Sequence, residues 1–194
     1  QTTARRGVSG ADQGAGGLMR SPFDILEDYE RRSLAHAVQL PERSFSQDVW
    51  RGVGYRVGDR RLVSDFREVV EIVPMPPVTP VPGAQPWLLG VCNLRGALFP
   101  VIDLKLFLEG VPTAAQEGQR VLIMRQAGGD VALAIDELFG QRSFQQSQRV
   151  DAGDIAQGRY GHFVEYAFRD DAQDWGVFSL SVLSRTPEFR QAAA

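Results

Sequence analysis

Gly90-Val91-Cys92-Asn93-Leu94-Arg95-Gly96-Ala97-Leu98-Phe99-Pro100-Val101-Ile102-Asp103-Leu104 is the stretch on which the fold turns. Two apolar runs flank a polar, glycine-marked turn over residues 93–96. Asn and Gly tolerate positive φ, so the chain can reverse there without steric penalty. Residues 98–102 are almost continuously apolar, which predicts a strand buried on both faces. Pro100 would delete a ladder donor, so the strand is expected to bend or lie at an edge there. Asp103 reads as the N-cap of a short helix over 104–108, closed by Gly110. What remains is Arg95, a fork-shaped cation at a tight turn between two strands.

Working outward, the period in most of the chain is two. From Trp50, Gly52-Val53-Gly54-Tyr55-Arg56-Val57 alternates, Gly58-Asp59 turns, and residues 61–65 return as a hairpin. Residues 66–73 form a further strand, followed by a rigid loop carrying Pro74, Pro76, Pro77, Pro80 and Pro82. Residues 120–125 and 131–135 flank Gly128-Gly129-Asp130, a second hairpin signal. Strands are also expected over 144–150, 163–168 and 175–180, with an acidic loop over 170–174 and a short closing helix over 181–190. Many short strands with Gly and Pro turns predict a mainly β fold.

Two segments fall outside that pattern. The first 17 residues contain one large apolar residue, Val8, so a disordered tail is expected over 1–20, with Met19 a candidate start. Ser21-Pro22-Phe23-Asp24 then opens a helix over 21–40, with Ser as N-cap and Pro at the first helical position. Phe23, Leu26, Tyr29, Ser33, Ala37 and Leu40 fall near one face. That face suits packing on the chain's own domain or docking of a partner.

Composition narrows the function classes. The 194 residues are 43% hydrophobic and 23% charged, with net charge -3, which suits one globular domain or two small barrels sharing a core. Basic residues are scattered and only Lys105 is a lysine, so the basic stripe expected of a nucleic-acid partner is absent. One cysteine, Cys92, excludes an intrachain disulfide and fits a reducing compartment. No apolar run reaches the ~18 residues of a membrane span, and no signal-peptide core is visible. A soluble cytoplasmic protein without direct membrane insertion is the expectation.

Catalytic constellations are missing. His36 and His162 stand far apart, and no Cys/His spacing matches a metal site. Cys92, between Val91 and Asn93, reads as core and not as a nucleophile. Asp136 and Glu137 are adjacent, so on a strand they point to opposite faces and cannot pair as acid and base. No enzyme activity and no cofactor are expected.

The pattern G-V-x-N-x-R-G-x-x-x-P-V-x-D-L resembles the signature of the CheW-like coupling proteins of bacterial chemosensory arrays. Val69-Val70-Glu71-Ile72 is similar to that family's V-x-E-I strand, and Ile135-Asp136-Glu137-Leu138-Phe139-Gly140 to its acidic-hydrophobic turn ending in Gly. The likeness covers roughly residues 50–185. It implies two SH3-like five-stranded β-barrel subdomains sharing a hydrophobic core, divided near 110–120. It also implies a non-enzymatic adaptor between the cytoplasmic tip of a methyl-accepting receptor and the regulatory domain of a CheA-type histidine kinase, held at membrane-bound arrays. The Pro-Phe-x-x-Leu opening and Trp-x-Gly-Val-Gly-Tyr-Arg-Val-Gly resemble the twitching-motility branch, which controls type IV pili, more than the flagellar one. The flagellar coupling protein and a receptor-binding scaffold without kinase contacts stay open. So does a small-molecule-binding β-barrel, which a deep polar pocket would favour over shallow apolar patches.

The partner-binding candidates are Arg95, Asn93, Gly96, Gly90, Val69, Glu71 and Ile72. Arg at an exposed turn suits planar hydrogen bonding of a partner. It equally suits a structural ion pair with Asp103 or Glu71. Val69 and Ile72 suit the core as well as a surface.

Overall fold

The structure, a computed structural model, describes residues 49–191. The tail expected over 1–20 and the helix expected over 21–40 lie outside the described residues. Within them the chain is mainly β. Strands β1 (Val49–Val57) and β2 (Arg60–Asp65) form the hairpin expected at Gly58-Asp59. They continue into β3 (Val69–Pro74), β4 (Leu88–Leu94) and β5 (Ala97–Asp103). Helix α1 (Leu104–Glu109) follows, then β6 (Arg120–Met124), β7 (Val131–Ala134) and β8 (Glu137–Gln145). The last strands are β9 (Arg149–Asp151), β10 (Val164–Asp170) and β11 (Gln173–Phe178), before helices α2 (Leu180–Arg185) and α3 (Pro187–Gln191).

Two mixed sheets result, one of six strands in the order β8-β1-β2-β11-β10-β9 and one of five in the order β3-β6-β7-β5-β4. The strands therefore do not sort at a point near 110–120. β1 and β2 leave the six-stranded sheet, the chain builds the whole five-stranded sheet, and β8 returns to pair with β1. Parallel pairing of β11 with β2 and of β5 with β7 needs such long connections. The six-stranded sheet exceeds the expected five because a 3-10 turn at Gln146–Gln148 separates β9 from β8, and the two take opposite edges.

Alternation on the strands produces three cores. Leu122, Met124, Leu133 and Ile102 face a shared core with Tyr55, Val57, Leu62, Val164 and Phe178 of the other sheet. The opposite face of the five-stranded sheet carries Cys92, Val101, Val121, Ile123, Ala132 and Ala134, and that of the six-stranded sheet Val63, Phe144, Phe168 and Trp175. The central strands β6 and β7 are thus buried on both faces, which is why they read as near-continuous apolar runs. Trp87 stacks on Phe189 at 6.1 Å and meets Phe107 edge-on at 5.1 Å, tying α1 and α3 to the shared core.

Single carboxylates lock the joints. Asp136 is buried and accepts from the Gly58 N–H at 2.7 Å, clasping the β1–β2 turn. Glu68 accepts from the Leu180 and Ser181 N–H groups at 3.0 and 3.1 Å, holding α2 against the β2–β3 connection. Asp103 caps α1 as expected, accepting from Leu106 N–H at 3.0 Å and also from Thr113 N–H at 2.8 Å.

Other expectations shift locally. The acidic loop over 170–174 is a tight turn at Asp171 and Ala172, with Asp174 already on β11 and paired to Arg169. Helix 181–190 is broken at Thr186, whose extended ψ of 123° reflects the following Pro187. A 3-10 turn at Gln146–Gln148 interrupts the strand expected over 144–150.

Candidate functional site

The β4–β5 hairpin reverses through Arg95 and Gly96, with φ of 54° and 87°. Two positive φ values in a two-residue loop define a type I′ turn, which matches the right-handed twist of the flanking strands. Asn93 stays on β4 opposite Leu98, and its Oδ1 accepts from the Gly96 N–H at 2.9 Å. So the left-handed position falls on Arg95 and not on Asn93, which braces the turn through its side chain.

Arg95 grips Glu71 on β3 with both arms of its fork, Nη2 to Oε1 at 2.6 Å and Nη1 to Oε2 at 3.0 Å. Of the two partners that the sequence allowed, Asp103 is committed to the helix cap and Glu71 takes the arginine. The Arg95 side chain is 80% exposed and that of Glu71 38%. An exposed pair contributes about 0.2–1 kcal/mol. A left-handed non-glycine residue costs about 1–2 kcal/mol. The pair at best offsets its own backbone, so fold stability supplies no reason for an arginine there.

The ion pair lines a groove of about 320 Å³. Val70, Val73, Leu94, Phe99 and Ile123 line it, together with Asp130. Val70 lies outside the expected set, and it is exposed because β3 bulges: Val69 opposes Met124 and Glu71 opposes Ile123, leaving Val70 as the extra residue. Val69 and Ile72 turn the other way and pack against the shared core. The candidate set is therefore split: Arg95, Glu71, Gly96 and Asn93 gather at the hairpin tip, while Val69 and Ile72 face inward.

Gly90 also stands apart from the groove. Its φ is 145°, and a Cβ there would sit 2.1 Å from the Thr79 carbonyl oxygen. That close approach straps the proline-rich loop to β4, with Thr79 N–H donating to Val91 O at 2.8 Å and Val91 N–H to Thr79 O at 2.9 Å. Gly90 is a packing requirement of this strap.

The other half of β5 departs from the expectation of burial on both faces. Val101 and Ile102 are buried, but Leu98 is 73% exposed. β7 pairs with β5 only from Val101, so residues 97–100 project with β4 as a two-stranded ribbon. Pro100 belongs to this ribbon, where a lost donor costs no second ladder. Leu98 points away from the groove, on the same face of the ribbon as Pro100, while Ala97 and Phe99 line the groove.

Cys92 is buried among Val101, Val121 and Ile123, and burial pushes its thiol up from the ordinary value, so it is poorly suited to nucleophilic chemistry. Among the described residues, no group of three His, Cys, Asp or Glu side chains could hold a metal ion. No described helix is long and apolar enough to cross a membrane.

This arrangement of two joined sheets is that of a solved scaffolding protein, TtCheW from Thermoanaerobacter tengcongensis. The two superpose with a TM-score of 0.59 over 68% of this chain and 89% of that one, at 22% identity, which defines the fold. Residues 51–187 match the CheW-like domain, and the chain belongs to that family. Among its relatives is protein PilI of Pseudomonas aeruginosa, 30% identical over 175 residues that cover 90% of this chain and 98% of PilI. The chemotaxis protein CheW of Rhizobium meliloti is 38% identical over 74 residues, 38% of this chain and 47% of that protein.

Proposed function

We propose that this chain is a non-enzymatic adaptor of a chemosensory pathway governing type IV pilus twitching motility. It couples a methyl-accepting receptor tip to the regulatory domain of a CheA-type histidine kinase. The observation that carries the reading is a likeness to PilI that runs nearly end to end of both chains. The site supports it: an apolar groove lined by an arginine that the fold does not need suits contact with a protein surface. Val70 and Phe99 supply apolar contact, and Arg95 supplies planar hydrogen bonds once it leaves or shares Glu71. Glu71 holds the fork extended in the free protein, so less rotamer entropy is lost on binding. The adaptor works at the cytoplasmic face of receptor arrays.

Co-precipitation of the purified chain with a pilus-system receptor tip and kinase regulatory domain tests the reading. Capture of both in one complex is expected. Failure to retain either partner at micromolar concentration would contradict it.

A further inference from the structure

The six-stranded sheet carries a second cluster, remote in the topology from the β4–β5 hairpin. Arg61 on β2 and Arg142 on β8 lie over the same two rings. The Arg61 guanidinium carbon is 5.1 Å from the Phe139 centroid and 5.5 Å from that of Trp175; the Arg142 distances are 5.9 and 4.8 Å. The rings meet edge to face at 5.3 Å. Gly54 makes the room, because a Cβ there would come within 2.8 Å of Arg142 Cγ and 3.1 Å of the Trp175 ring. Tyr55 follows a bulge in the β1–β8 register at this point.

Two observations mark the cluster as incomplete. Among the described residues no carboxylate oxygen lies within 4.0 Å of either guanidinium. Glu137 is taken by Arg56 and Asp174 by Arg169, while Asp59 and Asp154 only border the open concavity that Arg61 also lines. Independently, Arg142 Nε and Trp175 Nε1 are buried donors with no acceptor, in a tryptophan that is 2% exposed. Half-buried cations and unsatisfied donors both carry a desolvation cost. Cation–π contact compensates each cation in part. It leaves both cations without an anionic partner, which a bound carboxylate would supply.

We propose that Arg61, Arg142, Phe139 and Trp175 form a binding site for a carboxylate presented by an acidic peptide segment of a partner protein. A planar guanidinium fork matches a planar carboxylate in bidentate fashion. The half-buried Phe139 ring takes the aliphatic stem of a glutamate, which a strongly hydrated phosphate ion lacks. The site uses the sheet opposite to the groove, so it does not depend on the adaptor reading above.

The test is a titration of the intact, nitrogen-15-labelled chain with a tetraglutamate peptide. The signals followed are the Arg61 and Arg142 Nε–H resonances and the Trp175 indole N–H, assigned with Trp175→Phe. Saturable movement of all three is expected, weakened at least tenfold in Arg61→Gln and in Arg142→Gln. Should either variant melt early, Arg61→Lys and Arg142→Lys keep the charge and lose the fork; a severalfold loss is then expected. The proposal is overturned by stationary resonances in the intact chain, or by unchanged affinity in the folded double variant. Tighter saturation by inorganic phosphate than by the peptide would overturn it too.

Discussion

At the scale of the residue, the informative position is Arg95. Its φ of 54° puts a long, branched cation where glycine is cheapest, and its one ion pair is solvent-exposed. Residues held against backbone preference are often kept for what they touch outside the fold. Arg95→Gly is therefore expected to leave the melting temperature unchanged or raise it, by the equivalent of up to about 1 kcal/mol. A thermal melt checks this, and a loss of stability beyond about 1 kcal/mol would make the Glu71 pair structural. The exposed turn position of Arg95 was legible from the turn residues around it. The choice of Glu71 over Asp103 was not, because Asp103 had two credible tasks and only the folded geometry shows the cap winning. Val70 escaped notice for a different reason. A bulge changes which residues of Val69-Val70-Glu71-Ile72 face outward, and no composition or period in four residues announces one.

At the scale of the element, the β4–β5 ribbon depends on how its base is held. The strap between Thr79 and Val91 closes over Gly90, with backbone and not flexible side chain in the way of a Cβ. Gly90→Ala combines a 2.1 Å clash with a φ of 145°, so a destabilisation of about 3 kcal/mol or more is expected, measured by denaturant unfolding. A change below about 1 kcal/mol would show the loop free to lift away. Helix α1 illustrates the opposite case of full legibility. Asp103, an apolar run and Gly110 are local signals that act through neighbouring backbone, and the structure places cap, helix and C-cap where they stand. The projecting half of β5 was not legible. Its apolar sequence is that of a buried strand, yet Leu98 is exposed because β7 is too short to cover it.

At the scale of the whole molecule, the chain folds outward and back. β1 and β2 wait for β8 and β11, whose partners lie more than a hundred residues away in the case of Gly176 and Leu62. Hairpins are written in local turn signals, whereas the pairing of distant strands is not, which is why a division near 110–120 read plausibly from the sequence. The topology predicts that a chain ending at residue 135 cannot fold cooperatively, since β1 then lacks β8 and β2 lacks β11. Circular dichroism with a urea titration of that fragment checks it; a cooperative transition would mean that the five-stranded sheet is a domain in its own right. Acid weakens the whole more gently. Hydrogen bonds from Arg67 and Arg169 hold Asp65 and Asp174 below the ordinary carboxylate range, so their contribution is present at neutral pH. It is lost as pH falls through those lowered values, and both pairs are exposed enough for the loss to be small.

The central claim is that Arg95 serves a partner and not the fold. Calorimetric titration of the kinase regulatory domain and of the receptor tip into the intact chain and into Arg95→Gly, with melts on the same samples, tests it most directly. The account predicts an undiminished melting temperature and at least a tenfold weaker affinity, about 1.4 kcal/mol or more, for at least one partner. Equal affinities for both partners in a stably folded Arg95→Gly would contradict it.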